Sequence, residues 1–205
     1  MSGPNIPKGL WSDARDGAGL RNLYDDWAER YDADMEAGGM IGPQRLAAML
    51  QRLLPDRSAP ILDFGCGTGL SGAAANAAGY TDLHGQDISA GMLDVARRKG
   101  VYTTLTETDP DAPIRIDPAI RAVLSSGSIC VGAGPATLLP QVAEAMPTDA
   151  ILLISYNDDT LRDAGYMEAL ANVQVSGLLR LELAEYGPQL PALNRGATAY
   201  ALRRL

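Results

Sequence analysis

Apolar side chains recur at intervals of three and four from Leu20 onward. Leu20, Leu23, Tyr24, Trp27, Ala28 and Tyr31 share one face of a predicted helix, with Asp25, Asp26, Glu29 and Arg30 opposite. A second helix is expected from about Pro43 through Leu46, Met49, Leu50, Leu53 and Leu54, and Pro55 stops it. The period then shortens. Ile61 to Phe64 reads as a strand interrupted only by Asp63, and Gly65 to Gly69 forces a tight turn into a helix from about Leu70 to Ala78. Leu83 to Ile88 reads as the next strand. Ser89 follows as a helix N-cap, Met92, Leu93 and Ala96 as that helix's buried face, and Gly100 as its stop. Val101 to Thr106 is a β-branched strand candidate.

Ile120 to Ser125 and Ile151 to Tyr156 are two further apolar runs, with a helical stretch from about Ala136 to Ala145 between them. A helix from Leu161 to Ala171 and strands near Leu178 to Ala184 and Thr198 to Arg203 complete the pattern. Alternating strands and helices predict an α/β fold: a doubly wound, mainly parallel sheet with helices on both faces and an antiparallel edge strand near the C-terminus. Residues 1–22, with Gly3, Pro4, Pro7, Gly9, Gly17 and Gly19, read as a flexible lead-in. Residues 23–205 read as one domain, and the helices of 23–55 as a possible lid.

Composition narrows the function classes. A 205-residue chain that is 46% hydrophobic and 20% charged can fold without staples. Cys66 and Cys130 lie in no Cys-x-x-Cys or Cys/His spacing, and His84 is the sole histidine, which argues against a zinc, redox or multi-histidine metal site. Residues 1–22 hold no apolar core behind a basic start, and no apolar run reaches the ~20 residues that span a bilayer. A cytoplasmic protein with no membrane partner is expected. The net charge of −8, with no basic run, repels phosphate backbones and argues against a nucleic-acid partner.

In an open parallel sheet, ligands bind beyond the carboxyl ends of strands where the order reverses, so the loops after the first, second and fourth strands should meet in one crevice. Gly65, Gly67 and Gly69 remove three side chains within five positions there. A Gly-x-Gly-x-x-Gly also runs through Gly67, Gly69 and Gly72, with Asp87 twenty residues past Gly67. Glycines alone leave two nucleotide cofactors open. Charge separates them. The carboxylate of Asp63 disfavours a pyrophosphate against this loop, whereas S-adenosylmethionine carries an ammonium and a sulfonium that a carboxylate favours.

The run Ile61-Leu62-Asp63-Phe64-Gly65-Cys66-Gly67-Thr68-Gly69 resembles the first motif of class I S-adenosylmethionine-dependent methyltransferases, and Gly85-Gln86-Asp87-Ile88-Ser89 with Met92, Leu93 and Ala96 resembles their second. The resemblance implies a Rossmann-like domain and S-adenosylmethionine as cofactor. It further implies that Asp63, Gly65, Cys66 and Gly67 hold the methionine portion, that Asp87 holds the ribose hydroxyls, and that Ile88 flanks the adenine. Gly69, Met92 and Ser125 join that candidate set, as do Tyr24, Trp27 and Tyr31 on the predicted lid helix. An acid after the third strand would hold the adenine amine; Glu107 and Asp109 both qualify, and Asp109 is preferred.

Leu23 to Asp32 is similar to the opening of small methyltransferases of the Williams-Beuren syndrome region type, and Tyr156-Asn157 and the stretch toward Arg203 fit that group. Ser128 to Gly132 departs from it, because related sequences show a Phe and a His there. The resemblance implies methyl transfer to a small-molecule acceptor by in-line displacement, for which alignment and exclusion of water suffice. Tyr24, Tyr31, Asp158 and Asp159 are the groups that could assist as bases, and none is assigned a catalytic role. Two alternatives stand beside this reading: a nicotinamide-dependent oxidoreductase and a catalytically silent S-adenosylmethionine-binding protein.

Overall fold

The computed structural model describes residues 3–11 and 16–205. Two helices come first, α1 (Gly17–Ala37) and α2 (Gly42–Leu53). Then follow β1 (Ile61–Phe64), α3 (Leu70–Ala77), β2 (Leu83–Asp87), α4 (Ala90–Lys99), β3 (Thr104–Glu107), β4 (Ala122–Ser126), α5 (Leu138–Ala145) and β5 (Ile151–Asn157). The chain closes with α6 (Asp158–Arg162), α7 (Ala164–Val175), β6 (Leu179–Leu190), a 3-10 turn at Pro191–Leu193 and β7 (Arg195–Arg204). No described helix is long and apolar enough to cross a membrane.

The seven strands form one sheet in the order β3-β2-β1-β4-β5-β7-β6. β1 pairs in parallel with both β2 and β4, so the chain reverses its direction of winding there and opens a crevice at the strand ends. β7 runs antiparallel between β5 and the outermost strand β6. β5 shows why the sheet is covered on both faces: Leu152 and Ile154 pack with Leu139, Val142 and Leu170 on one side, and Ile151 and Leu153 with Leu46, Leu50 and Leu83 on the other.

Five departures from the sequence expectation stand out. The first helix starts at Gly17, because Asp16 accepts a hydrogen bond from the Gly19 amide at 2.7 Å and offsets two glycines in the first turn. Of the expected lead-in, residues 1–2 and 12–15 lie outside the described residues, while Leu10 is buried against Trp27, Met35 and Leu190. The helix expected at 161–171 is two helices, since Asn157 caps the first and Asp163 leaves helical geometry to cap the second. β6 continues to Leu190 through Gly187 and Pro188, with register shifts at 181/183 and 188/190; an edge strand tolerates proline there. Finally, β3 starts at Thr104, and the preceding Tyr102 turns its ring inward instead of joining the strand.

Candidate active site

The crevice at the switch point opens into a cavity of about 860 Å³. Its floor is the loop after β1. Gly65 turns there with φ +67°, and a Cβ on it would stand 2.3 Å from the Ser128 Cβ, so only glycine lets this loop approach the one after β4. Gly67 follows with φ +54° and open space where a side chain would be. Its amide donates to Asp87 Oδ2 at 2.7 Å, and the Ser89 amide donates to Oδ1 at 2.9 Å. Burial raises the Asp87 carboxyl above its ordinary range, and these amides pull it back.

The remaining glycines serve another purpose. A Cβ on Gly72 would stand 2.3 Å from the Tyr102 ring, and one on Gly69 would stand 3.0 Å from it. The ring fills the space beneath the loop, and its hydroxyl donates to Asp63 Oδ2 at 2.7 Å. Asp63 is 2% exposed, and its Oδ1 is buried without a hydrogen-bond partner. Burial pushes its carboxyl up to about 7, the Tyr102 bond opposing the rise and the nearby Asp87 charge adding to it.

Helix α1 roofs the cavity and is tied down at each turn. Arg21 Nε donates to the Ile88 carbonyl at 2.8 Å, and the Tyr24 hydroxyl to the Gly132 carbonyl at 3.0 Å. Asp25 accepts from Ser89 Oγ at 2.5 Å and from the Gly91 amide at 2.9 Å at the N-terminus of α4. Asp32 accepts from Thr68 Oγ1 at 2.5 Å and pairs with Lys99. Tyr24 stacks on Trp27, and Tyr31 meets Trp27 edge-on at 4.7 Å. Asp34 holds the Trp27 indole N–H and the Asn5 amide, each at 2.8 Å, so one carboxylate joins the roof to the N-terminal segment.

The cavity wall includes Gly65, Cys66, Gly67, Asp87, Ile88, Met92, Asp109, Tyr24, Trp27 and Tyr31. Glu107 ends β3 with an exposed side chain away from this wall, so of the two candidates it is Asp109 that lines it, beside Asp111, whose amide donates to Asp109 Oδ1 at 3.0 Å. Three other candidates sit behind the wall. Asp63 faces Tyr102, Gly69 accommodates the same ring, and Ser125 is fully buried against Ser128 at 2.7 Å, leaving Ser126 to line the cavity. Asp158 holds the Gly196 amide and the Tyr186 hydroxyl, and Asp159 pairs with Arg195 and Arg162, so both serve the β7 end. His84 bonds Thr104 and pairs with Asp82 along the sheet, away from the cavity wall.

Sequence reasoning passed over Trp11, Tyr102, Gln189 and Arg195, and quoted Thr68 and Asn157 within motifs without giving either a role. Tyr102 had a local signal: the unused glycines at 69 and 72 needed something to approach them. The others come together only through tertiary folding. Burial pushes the Cys130 thiol up to about 12 and Cys66 higher still, which disfavours the thiolate in both.

Residues 61–144 match the Methyltransferase domain family. The chain is 33% identical over 156 residues to the human Methyltransferase-like protein 27, covering 73% of this chain. It spans 62% of the length of that curated relative. Among solved structures, the fold is similar to a TehB-like SAM-dependent methyltransferase from Corynebacterium glutamicum, with TM-score 0.62 and 19% identity, over 90% of this chain and 99% of that one. It is also similar to the [4+2]-cyclase SpnF, with TM-score 0.66 and 14% identity, over 100% and 99% of the two chains. The glycine turn under the cavity, the acid ending β2 and the β3-β2-β1-β4-β5-β7-β6 order agree with these matches, which set the dinucleotide reading aside. The chain belongs to the class I methyltransferases, whose cofactor is S-adenosylmethionine.

Proposed function

We propose that this chain transfers a methyl group from S-adenosylmethionine to a small-molecule acceptor inside the roofed cavity. One observation carries the reading: the open face of Gly67 and the carboxylate of Asp87 converge on the floor of a cavity that α1 closes from above. At about 860 Å³ the cavity falls within the roughly 300–1,000 Å³ typical of small-molecule sites. A polymer would have to lift the roof, and the net charge of −8 disfavours a nucleic acid.

The residues present fit the cofactor. The open face of Gly67 leaves room for the cofactor against the turn, whose Cys66 and Gly67 amides are held by the Gln86 carbonyl and Asp87, while Asp87, costly to bury, gains when ribose hydroxyls donate to it. Ile88 and Met92 offer an apolar flank for the adenine, and Asp109 an acceptor for its amine. Asp63 acts from behind the loop: it anchors Tyr102 and places a carboxyl on the verge of ionisation beneath the site of a cation. When bound, S-adenosylmethionine supplies an electrophilic methyl on a sulfonium.

The chain's own contribution is alignment and dryness. Leu20, Trp27, Tyr31 and Met35 put apolar surface on the roof side of the cavity, which favours a dry site once ligands fill it. Burial holds the Tyr31 phenol far above its ordinary range, so its hydroxyl stays neutral and can orient a bound molecule by hydrogen bonding. Residues 23–205, extended back to Gly17 so that α1 is whole, act as one unit in this reading, with α1 as the lid.

Isothermal calorimetry with S-adenosylmethionine, S-adenosylhomocysteine and NAD, on the wild type and Asp87→Ala, tests the proposal. Micromolar binding of the two methionine-derived ligands, lost in the variant and absent for NAD, is expected. No binding of either would overturn it, and binding without turnover across an acceptor screen would favour a silent sensor.

A further inference from the structure

The tip of the β6–β7 hairpin brings two polar side chains to the cavity that the cofactor reading leaves unused. Leu190 and Arg195 are register partners across the hairpin, so Gln189 and Arg195 stand at the same end of the sheet, and both line the cavity. Gln189 is only 8% exposed, and among the described residues its side-chain amide has no hydrogen-bond partner. Its position is nonetheless fixed. The Gln189 carbonyl accepts from the Ile41 amide at 3.0 Å, and its Cγ lies 3.5 Å from where a Cβ on Gly42 would be. An amide held in place on a cavity wall, with no protein partner among the described residues, offers a donor and an acceptor to a ligand beside it.

Arg195 complements it. Its guanidinium lies over the Trp11 ring at 3.9 Å and pairs with Asp159, which also faces Arg162. Its charge is therefore already answered, and what it adds to the cavity is directed N–H groups on a flat support. The neighbouring Asn157 amide is committed elsewhere, accepting from the Thr160 amide and hydroxyl and donating to the Val131 carbonyl. Trp11, Tyr31, Met35, Met40 and Leu190 supply an apolar, partly aromatic wall around this end.

We propose that this end is the acceptor subsite, and that the acceptor is a neutral, planar heteroaromatic molecule with a lactam-like edge. The donor and acceptor of the Gln189 amide match a ring N–H beside a C=O, and Arg195 donates to a second ring acceptor. The flat aromatic wall favours a ring over an aliphatic chain. This inference rests on the methyltransferase reading above.

Tryptophan fluorescence titrations of the full chain saturated with S-adenosylhomocysteine test it. The probes are lumazine and 2-quinolone, which carry lactam edges, with benzoate and cyclohexylamine as the anionic and aliphatic comparisons. The lactams are expected to bind, and Gln189→Leu to weaken them by about tenfold or more while leaving S-adenosylhomocysteine affinity within about twofold. Gln189→Asn should recover part of the loss. Arg195→Lys, which keeps the charge and loses the planar fork, gives a second reading should the leucine variant fold poorly. Preference for benzoate would overturn the neutral acceptor. Unchanged lactam affinity in the folded variants, or no lactam binding by protein that holds S-adenosylhomocysteine, would overturn the subsite. Failure to hold S-adenosylhomocysteine would instead sink the underlying reading, and this one with it.

Discussion

The two halves of the cavity are built on different principles. The floor uses residues close in sequence, 65–68 and 86–92, whose geometry follows from two adjacent parallel strands and the turns that leave them. The far end joins Trp11, Tyr31, Gln189 and Arg195, which lie up to the length of the chain apart and meet only when α1 and the β6–β7 hairpin have docked. A site made of local turns tolerates little change at any one position. A site made by docking tolerates substitution of contacts but depends on the docking itself, which is how one fold accommodates many acceptors.

The sharpest way to break this comparison is Gly65→Val. The new side chain meets Ser128 in a backbone conformation unsuited to it, and we expect a loss of about 3 kcal/mol or more in urea denaturation, with no S-adenosylhomocysteine binding. Near-normal stability would show that the floor is as forgiving as the far end. Asp87→Ala comes next. It strips the acceptor from the Gly67 and Ser89 amides and should weaken S-adenosylhomocysteine by roughly 100-fold in calorimetry, the chain remaining folded by circular dichroism.

The third test reads the floor through pH. Asp63 moves from 3.8 to about 7 on folding, so the folded state holds its proton more tightly. Its favourable contribution is complete below pH ~3.8 and is lost as pH rises toward 7, on the order of a few kcal/mol, after which the dependence on this group is flat. Asp63→Asn keeps an acceptor for Tyr102 and removes that slope. The raised Asp87 acts in the same direction in both proteins, so the difference between their stability curves reads Asp63 together with its coupling to Asp87. Parallel curves would sink the assignment. The smallest effect belongs to the roof: Asp32→Asn loosens the contacts to Thr68 and Lys99, half exposed and screened, and should cost no more than about 1 kcal/mol. Hydrogen exchange should nevertheless quicken in α1 and not in β1 or β4.

The same division decides what could be read before folding. The order of strands and helices, the caps at Ser89 and Gly100 and the glycine turn were legible because each depends on a few neighbouring residues. Between Glu107 and Asp109 the sequence offered no geometry: Asp109 lies on the cavity wall and Glu107 does not because the loop after β3 turns back toward the crevice. Asp63 was misplaced for a physical reason: alone it reads as a carboxylate facing a ligand, and only Tyr102, thirty-nine residues later, covers it. Gln189 and Arg195 carried no signal, because Gly187 and Pro188 end the alternation that would have extended the strand to them.

Asp34 fastens the far end twice over. With one oxygen on the Asn5 amide and the other on the Trp27 indole, the N-terminal segment and the roof share a single latch. Trp27 and Asp34 share α1, so pulling that segment aside breaks only the Oδ1 bond and the ceiling keeps its own half of the latch.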